Sequence, residues 1–423
     1  MDVIAELLKD IPLPRMVKIR QAFPAEELTD VEAAVHRELL NARVLELIKP
    51  EMRVAVAVGS RGVAGLSTIV RVVVEAIKGR GGRPFIVPSM GSHGGATAAG
   101  QIEVLANLNV TEATAGCPIR SSMEVVQIGR LANGLPVYID REASQADGIV
   151  VINRVKPHTA FRGSVESGIC KMITIGLGKQ KGAESCHAYS FKYMAENILA
   201  MSQIALEKMP VLFAVASVEN AYDKIRKIRV AAAKDIIETD RQLLVEAKAN
   251  MPRIYFDQID VLVIDRIGKN ISGDGMDPNI TGRYPTPYAS GGPEVSKMAV
   301  LDLTDETHGN ANGMGTADFA TRKLADKVNF KMTYANGLTS TVVGPTRMPT
   351  ILDNDRDAVK AAIKTCNALE LTKAKVVRIK DTLHLAEIWI SESLLPAAQN
   401  HANIEILSKP AIMKFDDMGN LAD

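Results

Sequence analysis

The 423-residue sequence has almost no net charge, +1 with 23% charged residues, so it offers no bulk field for nucleic acid or an anionic membrane. A small-molecule ligand is favoured instead. No uninterrupted apolar run approaches the length that spans a bilayer, and the opening MDVIAELLKDIPLP mixes acidic with apolar residues where a signal peptide has a basic start and an apolar core. We therefore expect a cytoplasmic protein. The four cysteines, Cys117, Cys170, Cys186 and Cys366, form no CxxC pair and have no regular spacing, which argues against a zinc ribbon or a disulfide framework and leaves free thiols. The dehydrogenase, hydrolase and metalloprotease signatures GxGxxG, GxSxG and HExxH are missing, as are solenoid repeats and low-complexity tracts.

What is present is enough apolar residue, 47%, to fill two cores, and a chain too long for one. Strand, glycine-rich loop and helix alternate. Residues 53–58 (RVAVAV) read as a strand, GSRGVAG as its loop and 67–78 as a helix; 83–87, PSMGSHGGAT and 97–108 repeat the pattern. Such units lay their loops side by side at the carboxyl edge of a parallel sheet. A helix within 25–48 with Asp30 as N-cap, short strands at 137–139, 149–152 and 211–218, and helices at 188–208 and 233–250 complete the first half. The second half reads as strands at 261–265, 297–303 and 375–379 with helices at 317–327, 355–366 and 391–399. Its first strand leads into a long polar loop, IGKNISGDGMDPNITGRYPTPYASGGP. The pattern predicts an α/β fold of two domains. A parallel-sheet-rich domain covers 1–255 and a smaller α/β domain covers 256–423, the last residues packing back on the first domain and the active site lying in the cleft between them.

Everything else is organised around residues 153–187, NRVKPHTAFRGSVESGICKMITIGLGKQKGAESCH, which follow an apolar strand and gather His158, His187 and Lys171 among five glycines. His93 sits in the comparable loop after 83–87. Histidine titrates nearest neutrality and binds metals as the neutral ring, so these loop positions suit proton transfer or ligation. A lysine buried in an apolar run has a lowered pKa and a nucleophilic amine, and an arginine between glycines, Arg61, can fork a carboxylate or phosphate. His36, His384 and His401 lie away from glycine loops and read as structural.

The order SRG with Arg61, GSHGG with His93, KPH with His158, CKM with Lys171 and ESCH with His187 resembles the nickel-dependent lactate racemase family over most of the first half, and more loosely beyond it. The resemblance implies a nickel-pincer nucleotide, covalently tethered to a lysine, with its nickel held by one protein histidine. Carried over, Lys171 is the tether, with Lys179 and Lys181 as alternatives, and Ser60 and Gly168 also bind the cofactor. His187 becomes the metal ligand, His93 and His158 the paired acid/base groups, Arg61 a substrate carboxylate contact, and Lys269 the lysine that reaches the substrate from across the cleft. The implied reaction inverts C2 of a 2-hydroxy acid by reversible hydride transfer, and cofactor maturation proteins become partners alongside the small-molecule acid. Neither nucleic acid nor membrane is expected as a partner, and an oligomer is compatible with the sequence.

Two departures stand out. Where lactate racemase has an aspartate a few residues before the arginine, this chain has the apolar Ala57 and Val58. The polar loops carrying Asp274, Asp277, Asn279 and Arg283, with THGNANGMG and TYANGLTS further on, exceed what a lactate methyl group needs. They point to a polyhydroxylated (aldonic) acid, since buried donors and acceptors discriminate strongly against analogues lacking their partners. Two other readings compete: a mononuclear zinc or iron hydrolase or lyase using His93, His158 and His187 as ligands of one metal, and a non-catalytic protein that binds a small acid.

Overall fold

In the computed structural model, residues 3–60 and 62–422 are described. The chain divides into two compact units, one formed by Pro24–Met251 and the other by Met1–Phe23 with Pro252–Asp423. The strands are, in order, β1 (Arg15–Gln21), β2 (Arg53–Val58), β3 (Arg83–Pro88), β4 (Val125–Arg130), β5 (Pro136–Asp140), β6 (Gly148–Arg154), β7 (Val211–Glu219), β8 (Ile225–Ala232), β9 (Gln258–Ile264), β10 (Glu294–Val300), β11 (Phe319–Thr321), β12 (Thr350–Leu352), β13 (Val376–Ile379), β14 (Glu387–Ser391), β15 (Ile404–Ile406) and β16 (Ala411–Ile412).

Within Pro24–Met251 the sheet runs β3-β2-β6-β7-β8, parallel except for the β7–β8 pair. The centre is apolar on both faces: Val54 to Val58 and Ile149 to Ile152 are all buried, as parallel strands covered by helices must be. One covering helix, Leu66–Gly79, turns Ile69, Val70, Val72, Val73 and Ile77 into the core with Val56, Ile86 and Phe213. Asp30 caps Val31–Asn41 by accepting the Ala33 amide, and Thr97 caps Ala98–Asn107 by accepting that of Gly100. The antiparallel edge strand β8 escapes the sequence pattern because IRKIRVAA puts Arg226, Lys227 and Arg229 among its buried Ile225, Ile228 and Val230. Charge on an edge strand discourages pairing with another chain. β4 and β5 form a separate hairpin.

The other unit has the order β12-β11-β10-β9-β13-β14-β1-β15, with β16 also on β1. β9 to β13 run parallel, whereas β14, β15 and β16 pair antiparallel with their neighbours. Residues 1–23 thus depart from the expected division at 255, because β1 hydrogen-bonds between β14 and β15, matching Val17 to Ile390 and Ile19 to Ile388. Leu8 and Met16 enter the core of Val261, Val263, Ala358 and Val359. The last strands accordingly pack on β1, inside this unit. Two expected helices also change. In 317–327 the triplet Phe319–Thr321 is claimed by parallel pairing between β10 and β12, and helix begins only at Arg322. In 391–399 the helical turns follow strand β14, whose Trp389 and Ile390 pair with Arg378 and Val377.

Candidate functional site

The loops after β2, β3 and β6 leave adjacent strands at one edge, so Ser60, His93 and the segment beginning at Val155 start as neighbours. Ser89 donates its amide to Val58 at 2.7 Å and Gly91 donates to Gly176 at 3.3 Å, joining the three loops. Gly94 is obligatory in the β3 loop: it has φ +66°, and a Cβ there would lie 2.6 Å from the backbone of Gly100. The turn folds tightly onto its own helix and presents His93, which is exposed, with Nδ1 2.5 Å from Ser60 Oγ. Gln101, fully buried, donates to the carbonyls of Gly91 and His93 and so fixes the loop from beneath.

The β6 loop is built on Glu166. Its buried carboxylate accepts the amide of His158 at 2.7 Å and that of Gly163 at 3.3 Å, and it is paired with Arg162 and Lys248. His158 Nδ1 accepts the Ala160 amide at 3.0 Å, and Phe161 lies against the ring with centroids 4.4 Å apart. Phe191 stands 6.0 Å from His158 and packs edge-on to His187 at 5.3 Å, so the two histidines share one aromatic wall.

Residues 169–187, read from the sequence as loop because of their glycines, are largely helical. A short turn, Ile169–Lys171, passes into a π-helical turn, Met172–Gly176, and then into Lys179–His187. Such π turns occur often at functional sites, and Lys171 lies where this one begins. Gly168 has a packing reason of its own, since a Cβ would collide with Asp240 Oδ1 at 1.9 Å. The Asp240 carboxylate accepts the Cys170 amide at 2.8 Å, and burial pushes its pKa up.

His187 donates Nδ1–H to the Ala183 carbonyl at 2.6 Å; an oxygen that can only accept fixes the tautomer and leaves the lone pair on Nε2. Burial lowers its pKa, the Ala183 bond opposes this, and the positive charge of Lys171 lowers it further. Burial and Lys171 both favour the uncharged ring, whose lone pair would then be on Nε2. Cys186, buried and pushed up to about 12 by burial, adds no competing thiolate, and all four cysteines are free and buried.

Of the alternative lysines, Lys179 is wholly buried and bonded to Asp140 at 3.3 Å, Gln101 at 2.9 Å and the Pro88 carbonyl, and Lys181 is exposed on the same helix. Burial lowers the pKa of Lys179 and raises that of Asp140, each opposed by the other's charge. Arg61 falls outside the described residues. Glu219, at the end of β7, accepts the Ala64 amide at 2.8 Å and pairs with Arg154.

Lys269 belongs to the other unit, where its amide donates to Thr307 Oγ1 at 3.1 Å and its Nζ to the Gly273 carbonyl. Polar side chains of the same unit bond to one another: Asn312 to Asp274, Thr304 to Asn270, Asn279 to Asp277 and Arg283 to Asp318. Among the described residues no three His, Cys, Asp or Glu come together to hold a metal ion, which counts against one metal bound by His93, His158 and His187. Sequence reasoning missed Phe161, Phe191 and Glu166. Only the spacing of Glu166 behind KPH could have pointed to its loop-closing role.

Residues 8–198 match the family described as lactate racemase N-terminal domain. No curated protein matches the chain in sequence. Among solved structures, the lactate racemase apoprotein from Thermoanaerobacterium thermosaccharolyticum is similar, with a TM-score of 0.52 and 13% identity over 88% of this chain and 99% of that one. At that identity the likeness is one of fold.

Proposed function

From the match of residues 8–198 to the lactate racemase N-terminal domain, we propose that the chain is a member of that family and an isomerase, a racemase or epimerase inverting C2 of a 2-hydroxy acid. The observation that carries the reading is His187, buried, with Nδ1 bonded to the Ala183 carbonyl so that Nε2 is the nitrogen left for a ligand, and with Lys171 near enough to lower its pKa. A metal ligand needs the first property and a tethering amine must stand close by. These residues fit the nickel-pincer nucleotide that the family implies: Lys171 would attach it and His187 would hold its nickel. When bound, that group supplies a reversible hydride acceptor.

The chain's own residues do the rest. His93 and His158 handle the hydroxyl proton of the substrate, one bonded to Ser60 and the other to Ala160. Phe161 and Phe191 line the site with apolar surface that keeps water from the reacting carbon. Arg61 and Lys269 are carboxylate contacts on the strength of the resemblance alone. For the substrate we propose a polyhydroxylated 2-hydroxy acid, a reading supported by the polar side chains in the loops of the unit that carries Lys269, among them Asn270 with Thr304 and Asp274 with Asn312.

The test is intact mass with nickel analysis on protein produced together with cofactor-making proteins, beside Lys171→Ala. A nucleotide-sized mass increase that requires Lys171, with about one nickel per chain as one ligand histidine demands, is the expected result. Absence of both from correctly matured protein would refute the reading. Chiral analysis of aldonic acids against lactate then decides the substrate, and faster turnover of lactate would refute the sugar-acid proposal.

A further inference from the structure

Three side chains from three separate elements close on the main chain around Lys171. Asn153, at the end of β6, donates Nδ2–H to the Gly168 carbonyl at 2.9 Å. Asp240, on the helix Ile236–Asn250, accepts the Cys170 amide at 2.8 Å, and its Oδ1 fills the place a Cβ would take on Gly168. Thr174, inside the π turn, donates its hydroxyl to the carbonyls of Cys170 at 3.0 Å and of Lys171 itself at 3.3 Å. Asp240 is the costly member of the set. It is 1% exposed, no cation pairs with it among the described residues, and burial raises its pKa. The same helix buries Leu243 and Leu244, and a third leucine would fill the position without the penalty of an unpaired buried carboxyl. Residues that break a packing rule in this way concentrate at functional sites, and the amide this one holds belongs to the residue before Lys171.

We propose that Asp240, with Asn153 and Thr174, is a positioning residue for Lys171: the three fix the main chain from which the cofactor-bearing side chain extends. This rests on the reading of Lys171 as the tether. A lysine amine ends a flexible four-carbon stem, so its placement is defined only where its main chain is held. Misplacing a reacting group by about 1 Å can cost on the order of 10²-fold.

Amide hydrogen exchange in the full-length protein without cofactor tests the hold, and intact mass of matured protein tests its use. In Asp240→Leu, which fills the space and offers no acceptor, segment 168–172 should exchange about tenfold faster or more while the helix Leu66–Gly79 keeps the parent's rates. Matured Asp240→Leu should carry the cofactor on no more than about a tenth as many chains as the parent, with an unfolding midpoint no lower. Asp240→Asn keeps an acceptor for the Cys170 amide and should load as the parent does. Parent-like exchange or parent-like loading in Asp240→Leu overturns the proposal. Should that variant not fold, Thr174→Val keeps the shape and removes the hydroxyl; loading about threefold lower supports the proposal, and full loading overturns it. If the matured parent gains no cofactor at Lys171, the tether reading fails and the proposal with it, while the exchange rates separately show whether Asp240 holds the turn.

Discussion

Replacing Glu166 by glutamine probes how the His158 loop is held. Both oxygens of the buried carboxylate are in use, Oε2 by the His158 amide and Arg162, Oε1 by Lys248 at 2.6 Å and the Gly163 amide. Glutamine has the same shape, but its NH2 must face donors whichever way the amide is turned. One charge-assisted hydrogen bond is lost, about 1.5–3 kcal/mol, and a backbone N–H is left without an acceptor at about 1–3 kcal/mol. Allowing for relaxation, we expect about 2–4 kcal/mol of destabilisation, which lowers the unfolding midpoint of a unit this size by about 5–15 °C. Lys248→Met is the control: the lysine side chain is 41% exposed, so its loss should matter by less than about 1 kcal/mol. Thermal unfolding followed by circular dichroism measures both. A Glu166→Gln midpoint within about 2 °C of the parent, or a Lys248→Met loss as large, would refute the reasoning.

Lys179→Met strands Asp140 in the interior and should cost about 3–5 kcal/mol, much of it recovered in Lys179→Met/Asp140→Leu. Whatever folds should still gain the cofactor mass, unlike Lys171→Ala, and denaturant midpoints with mass spectrometry check both. Burial raises the folded-state pKa of Asp240, so its stabilising contribution is full below its ordinary value of 3.8 and is lost as pH rises through the folded value. Asp240→Asn should therefore raise the unfolding midpoint at neutral pH relative to acid, and an unchanged pH slope would count against it. Ser190 has φ +63° and ψ 178°, backbone that only glycine adopts freely, while its Oγ accepts the Lys192 amide. Ser190→Gly should be more stable than Ser190→Ala by about 1 kcal/mol or more in denaturant unfolding.

Where the chain alternates buried β-branched strands with glycine turns, its sequence is readable. β2, β3, β6 and β7 and the loops that carry Ser60, His93 and His158 all follow from short apolar runs stopped by polar residues. The pattern fails where burial is one-sided or borrowed. β1 reads as RMVKIRQ, and its Val17, Ile19 and Gln21 are buried only because β14 and β15 flank it. The helix Lys179–His187 contains Gly182 and few apolar residues, so no periodicity announces it; packing against β5 and the π turn supplies what propensity lacks. Glu166, Asp240 and Asp140 are buried acids whose partners are backbone amides or residues far along the chain. Nothing in a linear sequence marks those meetings.

The position of β1 also orders events on the ribosome. Met16 emerges early yet pairs with Ser391, so this strand waits while all of Pro24–Met251 is synthesised before its sheet can close. The Pro24–Met251 unit is thus an insertion in a domain whose first strand is translated first and whose neighbours come last, free to fold while its host is still incomplete. A cut at residue 255 would divide the gene in two without dividing the protein into two domains, because the later fragment would lack the strand that joins β14 to β15.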